Sequence, residues 1–424
     1  MKRNILVVLR ASLTGKKPVA PECTVARRAV RRGRSNYLFV YLAALTYWHL
    51  EQKLRASVRD RDEAPALVWP RLLELPSDTV NVVYLDLNHW IYLAQAFVGH
   101  SKGSAFTKAL EACRAARAAG TAVFVLSGSH YHEMLKIKDP AQRRDIADVM
   151  EELTDFAALV SRVVVMELEL TAMLDPLAKE PSPLPKIPLI GRGVWRTAGL
   201  QGGLKIMGPS GDETDQARER MGAEAFDAFV AQANLLFERS ALRGPADDEV
   251  EGLRAQGWNP EPVMQVAERR ADRERDLSLQ LNDGGPWRRG RLRDVVSGRE
   301  LVNEFENILP RALAERGLAL SDVIRDQGSA RAFIRAMPST EVSIELKTAW
   351  HRNRDKQWTA NDIYDIDAMS LAVPYCDVVV NEKACHHALE AARLGERMHT
   401  ALLRNLEDLP STLDQWKPKR MPTD

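Results

Sequence analysis

Residues 79–168 alternate between apolar runs of strand length and stretches of helical period, and this alternation restricts the fold more than any other feature. "TVNVVYLDLNHWIYLAQAFV" at 79–98 opens on a Val- and Tyr-rich run, which predicts a strand ending near Asp86. A helix follows from about Asn88 and carries Ile91, Leu93, Ala94 and Phe97. A second helix is expected over about 104–119, closed by Gly120. "TAVFVLSGSH" then predicts a strand at about 121–126, and its Ser and Gly residues suit the cap of a helix carrying "HYHEMLKI". Asp139-Pro140 opens the next helix, which the pattern carries to about Val160. "RVVVMEL" at 162–168 predicts a third strand, with Glu167 and Glu169 turned to solvent. Strand, helix, strand, helix, strand is the signature of a parallel sheet covered by helices, an α/β class.

The alternation then stops. Residues 181–211 are rich in Pro and Gly without a period and read as a linker or structured loop. From about 213 to 337 apolar residues recur at helical spacing, and the charge run "AERRADRERDLSLQ" reads as a solvated helix face. Strand-forming sequence returns at 377–380, "DVVV", directly after Asp377, which reads as a turn residue. The expected division is a basic tail and amphipathic helix over 1–75, an α/β part over 76–175, a linker and helical insertion over 176–340, and the second α/β part over 341–424.

With a net charge of +1, any basic surface must be local. Four scattered cysteines form no C-x-x-C pair, which argues against a zinc ribbon or a disulfide framework and fits a reducing cytoplasm. Residues 1–34 hold ten Lys or Arg against the single acid Glu22. The apolar stretch 37–50 has fourteen residues, short of the roughly 18 that a membrane span needs, so a membrane anchor is not expected. A start codon beyond residue 35 is a third reading of this region.

Carboxylates collect where the predicted strands end. Asp86 closes the first strand, Glu133 lies early on the helix after the second, Asp362, Asp365 and Asp367 surround the start of the helix before the last strand, and Glu382 follows that strand. In an open parallel sheet ligands bind outside the carboxyl ends of the strands. Clustered carboxylates repel one another, and a hard divalent cation such as Mg²⁺ or Mn²⁺ relieves that repulsion through oxygen ligation. Such a cation can polarise a phosphate and activate water for in-line attack.

These segments resemble the PIN-domain nucleases. "YLDLNHW" supplies the strand-end acid Asp86 and Asn88; "SGSHYHEML" supplies the helix acid Glu133; "YDIDAMSLAVPYCDVVVNEK" supplies Asp365, with Asp362 nearby, and then Asn381 and Glu382, where that family usually has Thr and Asp. The resemblance covers about 79–170 and 358–395. It implies a PIN-like fold interrupted by the helical insertion, and Mg²⁺- or Mn²⁺-dependent phosphodiester hydrolysis with RNA as the favoured substrate. Asp86, Glu133, Asp365 and Glu382 would be catalytic, with metal held by Asp86, Asp362, Asp365 and Glu382. A non-catalytic scaffold that binds nucleic acid, and a DNA nuclease, are the alternatives.

Basic and aromatic residues alternate in "WHRNRDKQW" at 350–358, where Arg352, Arg354 and Lys356 could meet backbone phosphate between Trp350 and Trp358. "PWRRGRLR" at 286–293 is a second such patch. Asn88, His130 and Asn381 complete the expected substrate contacts, and the insertion is a candidate surface for a protein partner. His130 and His132 lack a third zinc ligand at a recognisable spacing, and Cys385, His386 and His387 read as structural or surface residues.

Overall fold

The computed structural model describes residues 66–180, 184–200, 205–209, 211–246, 248–257, 259–283 and 287–415. The basic N-terminal segment and the apolar stretch 37–50 lie outside them. No helix among the described residues is long and apolar enough to cross a membrane.

The chain folds as two compact units, and their boundaries fall elsewhere than the expected ones. Among the described residues, the larger holds those of 69–169, 184–293 and 338–415, and the smaller holds those of 66–68, 170–183 and 294–337. Much of the expected insertion thus belongs to the α/β unit.

In the larger unit, β1 (Asn81–Leu85) leads to helix α1 (Leu87–Phe97), α2 (Thr107–Ala118) and β2 (Ala122–Val125). Helices α3 (Gly128–Met134) and α4 (Pro140–Thr154) precede β3 (Ala157–Leu159), which is followed by α5 (Arg162–Leu174), counted in this unit up to Glu169. Further along come α6 (Glu261–Asp283), α7 (Pro338–Arg352), α8 (Ala360–Tyr375), β4 (Val378–Val380), α9 (Lys383–Ala391) and β5 (Ala401–Leu403). The sheet order is β5-β4-β1-β2, every pair parallel, and a parallel bridge from Leu126 to Ala158 sets β3 beside β2. The fold class is therefore α/β with a parallel sheet. Both faces are covered: every residue of β1 and of β4 is buried. That is why these strands read as continuous apolar runs rather than alternating ones.

From β1 the chain steps one way, to β2 and β3. β4 returns on the opposite side of β1, and β5 lies beyond it. The order reverses between β1 and β4, the topological switch point at which a crevice opens beyond the strand ends. The Asp86 N–H donates to the Val380 carbonyl at 2.9 Å and holds the two strand ends together there.

Three sequence expectations fail around β3. The helix ends at Thr154, not near Val160, because Asp155 and Phe156 both take positive φ (46° and 59°). The Thr154 hydroxyl secures the turn, donating to Met150 O at 2.7 Å and accepting from Phe156 N at 3.0 Å. Residues 162–168 are then helix, not strand. Val165, Met166 and Leu168 are buried, so packing overrides the strand preference of the valine run. Glu169 is wholly buried rather than solvent-facing: its carboxylate accepts from Ser339 N at 2.8 Å, Ser339 Oγ at 2.6 Å and Tyr375 Oη at 2.5 Å. Burial raises its pKa to about 7 even though these donors pull the other way.

Asp377 is more than a turn residue. It is buried, and its Oδ2 accepts from Val82 N of β1 at 2.8 Å. Asp377→Ala leaves that N–H without this acceptor, and we expect a loss of about 1–3 kcal/mol, read by urea unfolding. Asp377→Asn, which keeps an oxygen at that place, should lose less.

The smaller unit is helical in its described residues, with helices Ile308–Glu315, Leu320–Val323 and Gln327–Ala336. Phe305, Leu309, Phe333 and Ile334 are buried in it, and Arg316 donates to Asp175 at 2.8 Å and Thr171 at 3.2 Å.

Candidate functional site

Four segments deliver carboxylates to the β1/β4 crevice by local rules that are plain in the chain. Asp86 is the N-cap of α1, and its Oδ1 accepts from Leu87 N at 2.9 Å. Glu382 holds the matching N-cap position of α9, but its carboxylate makes no cap bond and instead accepts from Asn88 Nδ2. Asp365 lies in the second turn of α8, whose start is fixed by a capping box in which Thr359 and Asp362 satisfy each other's backbone N–H groups. Glu133 projects from α3, the helix after β2.

Burial and neighbouring charge shift three of these carboxyls. Burial pushes the Asp86 carboxyl up to about 7, with Glu382 adding to the shift and the Leu87 N–H opposing it. Burial, then Asp86 and Glu382, raise Glu133 to about 8 against the pull of Lys136. Asp365 is raised most, to about 9, by burial and then by Asp86, Glu133, Glu382 and Asp362. Acids from four segments thus feel one another's charge in a poorly solvated place.

The three aspartates of α8 separate into different roles. Asp362 is buried; its Oδ2 accepts from Thr359 N at 2.8 Å and Thr359 Oγ1 at 3.0 Å, and Oδ1 receives the Lys356 ammonium. Asp367 is bidentate to Arg270 at 2.5 and 2.8 Å, with Arg162 at 3.4 Å. Asp365 has no side-chain hydrogen bond among the described residues, and it is the one that faces the other acids.

Several expected substrate contacts lie elsewhere. His130 is fully buried: its Nδ1 accepts from Ser127 N at 3.0 Å and its Nε2 donates to Leu85 O at 2.8 Å, so both ring nitrogens tie the fold together. Asn381 is also fully buried, with Nδ2 set 3.6 Å from Met369 Sδ. Asn88 is exposed but engaged with Glu382. Arg352 and Arg354 are exposed, whereas Lys356 is half-buried on Asp362, 5.2 Å from the Trp350 ring centre. Trp358 is buried and donates to Ser278 Oγ at 3.1 Å, so it offers no face for a base. Arg288 and Arg293 of the second patch bond inward, to the His351 carbonyl and to Glu345. The charge run in α6 is not merely solvated: Arg270 holds Asp367, and Glu274 is buried.

Comparison with family models, with curated proteins and with solved structures returned no match. The site therefore rests on its own geometry.

Sequence reasoning missed Lys136. It follows Glu133 by three positions, so the end of α3 brings it to the same crevice. Its ammonium donates to Asn361 Oδ1 at 2.5 Å and stands 4.1 Å from the Tyr364 ring centre. A lysine one helical turn past a candidate acid was the available signal.

The acids are hard oxygen donors, a donor set suited to a divalent cation. Among the described residues, however, no group of three or more His, Cys, Asp and Glu side chains is already arranged to hold a metal ion. The donor chemistry fits; the cage is not preformed.

Proposed function

We propose that the chain is a divalent-metal-dependent nuclease with a PIN-like α/β domain, acting on RNA in preference to DNA. The observation that carries this reading is the meeting of Asp86, Glu133 and Asp365 in the switch-point crevice. Each is raised first by burial and then by neighbouring acids: Asp86 by Glu382, Glu133 by Asp86 and Glu382, and Asp365 by Asp86, Glu133, Glu382 and Asp362. Uncompensated buried acids cost stability, and a site that keeps three together is suited to a task that needs their charge.

Asp86, Asp365 and Glu382 would hold Mg²⁺ or Mn²⁺, with Asp362 at the margin and Glu133 as a further ligand or the group that orients water. When bound, the cation would polarise a phosphodiester and make a bound water more acidic. The chain's own contributions are clear. Asn88 restrains Glu382, the Thr359–Asp362 box fixes the first turn of α8, and Arg270 holds Asp367 out of the acid group. Arg352 at the end of α7 and Arg354 on the loop after it are exposed and available to backbone phosphate.

The test is incubation of the full chain with single-stranded RNA, structured RNA and single-stranded DNA in Mn²⁺, Mg²⁺ or EDTA. Cleavage should need the metal and should fall by more than about 10²-fold in Asp86→Asn. Equal cleavage by wild type and variant would overturn the assignment. The lack of a preformed cage favours a second reading, a nucleic-acid-binding scaffold that does not cleave. Mn²⁺ titration separates the two, because the scaffold predicts no saturable binding that depends on Asp86 and Asp365.

A further inference from the structure

We propose that Tyr92, backed by Phe106, is a stacking platform for one unpaired base of a single-stranded nucleic acid, set beside the acids of the crevice. The inference rests on the nuclease reading for the strand that lies there. It adds what that strand must offer, a free base face close to the phosphate at the acids.

The period of α1 places the platform. Asn88 and Tyr92 are four residues apart, so they lie on one face of the helix, one turn from each other. Asn88 Nδ2 donates to Glu382, which ties that face to the crevice. The opposite face is packed, with Trp90 and Leu93 fully buried. Tyr92 is 38% exposed. A single exposed aromatic is ordinary on a protein surface; what distinguishes this one is how its ring is held.

Phe106 lies almost parallel to the Tyr92 ring, with centroids 4.7 Å and planes 11° apart. The buried His89 meets the same ring edge-on, 5.9 Å away at 70°. One face of Tyr92 is thus covered and its orientation is set. Among the described residues no other ring and no cation is stacked on it, so its second face accounts for the exposure. The 3₁₀ segment Ser101–Phe106, which delivers Phe106, is pressed onto α1. His100 N donates to Gln95 O at 2.8 Å, and a Cβ on Gly103 would stand 2.2 Å from the Gln95 carbonyl carbon. The pair is therefore fixed before a ligand arrives, and a flat ring that extends the stack costs little ordering. That chemistry suits an unpaired base, because a duplex keeps its base faces against their neighbours. Lys383, the residue after Glu382, is exposed and available to the backbone of the same strand. Trp358, the aromatic expected from the sequence to stack on bases, is buried, and Tyr92 takes that part instead.

The experiment uses the full chain as wild type, Tyr92→Leu and Tyr92→Phe, with a fluorescent single-stranded RNA and with the same RNA paired in a blunt duplex. Binding is read by anisotropy across a salt series without divalent metal, and cleavage is read separately in Mn²⁺. Leucine keeps an apolar side chain against Phe106 but has no ring. Tyr92→Leu should weaken single-strand binding about tenfold, the loss of one stacked base. Its duplex affinity should stay within about twofold of wild type, and its slope of log Kd against log salt should not change, because no phosphate contact is lost. In Mn²⁺ its KM should rise by a similar factor with kcat within about twofold. Tyr92→Phe should bind like wild type, since the ring and not the hydroxyl stacks. Unchanged single-strand affinity in Tyr92→Leu would overturn the platform, as would equal losses on single strand and duplex, or failure of the wild type to bind the single strand. If the single strand binds with this Tyr92 dependence and is never cleaved, the platform stands and the nuclease reading fails. If it is cleaved with no Tyr92 dependence, the reverse holds.

Discussion

Asp365→Asn is expected to abolish metal-dependent cleavage and, at the same time, to stabilise the metal-free protein above neutral pH. The first effect should exceed about 10²-fold, the upper range seen for mere outer-shell partners of a metal. The second follows from the raised carboxyl. Asp365 has a folded-state value of about 9, against about 3.9 for an unfolded aspartate. Between those values the folded chain binds more protons than the unfolded chain, so stability falls as pH rises. The destabilisation is absent below about pH 4 and complete only above about 9, and an amide removes it. Loss of the Asp365 charge also relieves Asp86 and Glu133, because repulsion among the three is mutual. The thermal midpoint of Asp365→Asn should therefore match wild type near pH 4.5 and exceed it at pH 8.5 by about 2–4 °C for each kcal/mol relieved. Added Mn²⁺ should raise the wild-type midpoint and leave that of the variant nearly unmoved. A gap between the two proteins that is the same at both pH values would refute this account of the site.

The second large effect is structural. Lys347→Met should destabilise the larger unit by about 3–5 kcal/mol, the usual loss when one partner of a buried ion pair is removed. Lys347 and Glu274 are both buried, 3.1 Å apart. His351 Nε2 lies 2.9 Å from the second Glu274 oxygen, His351 Nδ1 lies 3.1 Å from Ser278 Oγ, and Ser278 accepts from the Trp358 indole. Burial alone would push the Glu274 carboxyl up; Lys347 and His351 outweigh it and hold it at about 2. A depressed carboxyl contributes stability that is present above its unfolded value, about 4.3, and is lost as pH falls toward 2. The variant should consequently lose stability at a higher pH than wild type on acid titration. The double variant Lys347→Met/Glu274→Leu should recover much of the loss, since two apolar side chains leave no uncompensated charge. Urea unfolding of the three proteins decides it; a single variant as stable as wild type would show that the pair is dispensable. The network matters to the crevice because α7 and the Trp358 anchor lead directly into Thr359 and the first turn of α8.

Several elements are legible in the sequence. The Val-rich runs at 81–85 and 378–380 could only be buried strands, and the acids that follow them could only lie at strand ends. Asp139-Pro140 and Gly120 marked a helix start and a helix stop through backbone chemistry that is local to those residues. The third strand was not legible. Its helix ends at two non-glycine residues with positive φ, and "RVVVMEL" has strand propensity but is packed as helix. His130 was misplaced for a related reason: a histidine three positions before a candidate acid reads as polar, yet its ring bridges Ser127 and Leu85 inside the core.

What the sequence determined by itself was the class of the sheet and the spacing of acids along the chain, because hydrophobic period and cap chemistry act over a few residues. Which acids meet was decided only by the tertiary structure. Asp86 and Glu382 are 296 residues apart and adjoin because β4 pairs in parallel with β1. Within α8 the selection of Asp365 over its neighbours depends on partners from distant segments. Arg270 and Arg162 take Asp367, Lys356 and Thr359 take Asp362, and the one carboxylate left without such a donor faces Asp86 and Glu133. Helical spacing sets the directions of three side chains; only long-range packing decides which of their charges is already neutralised.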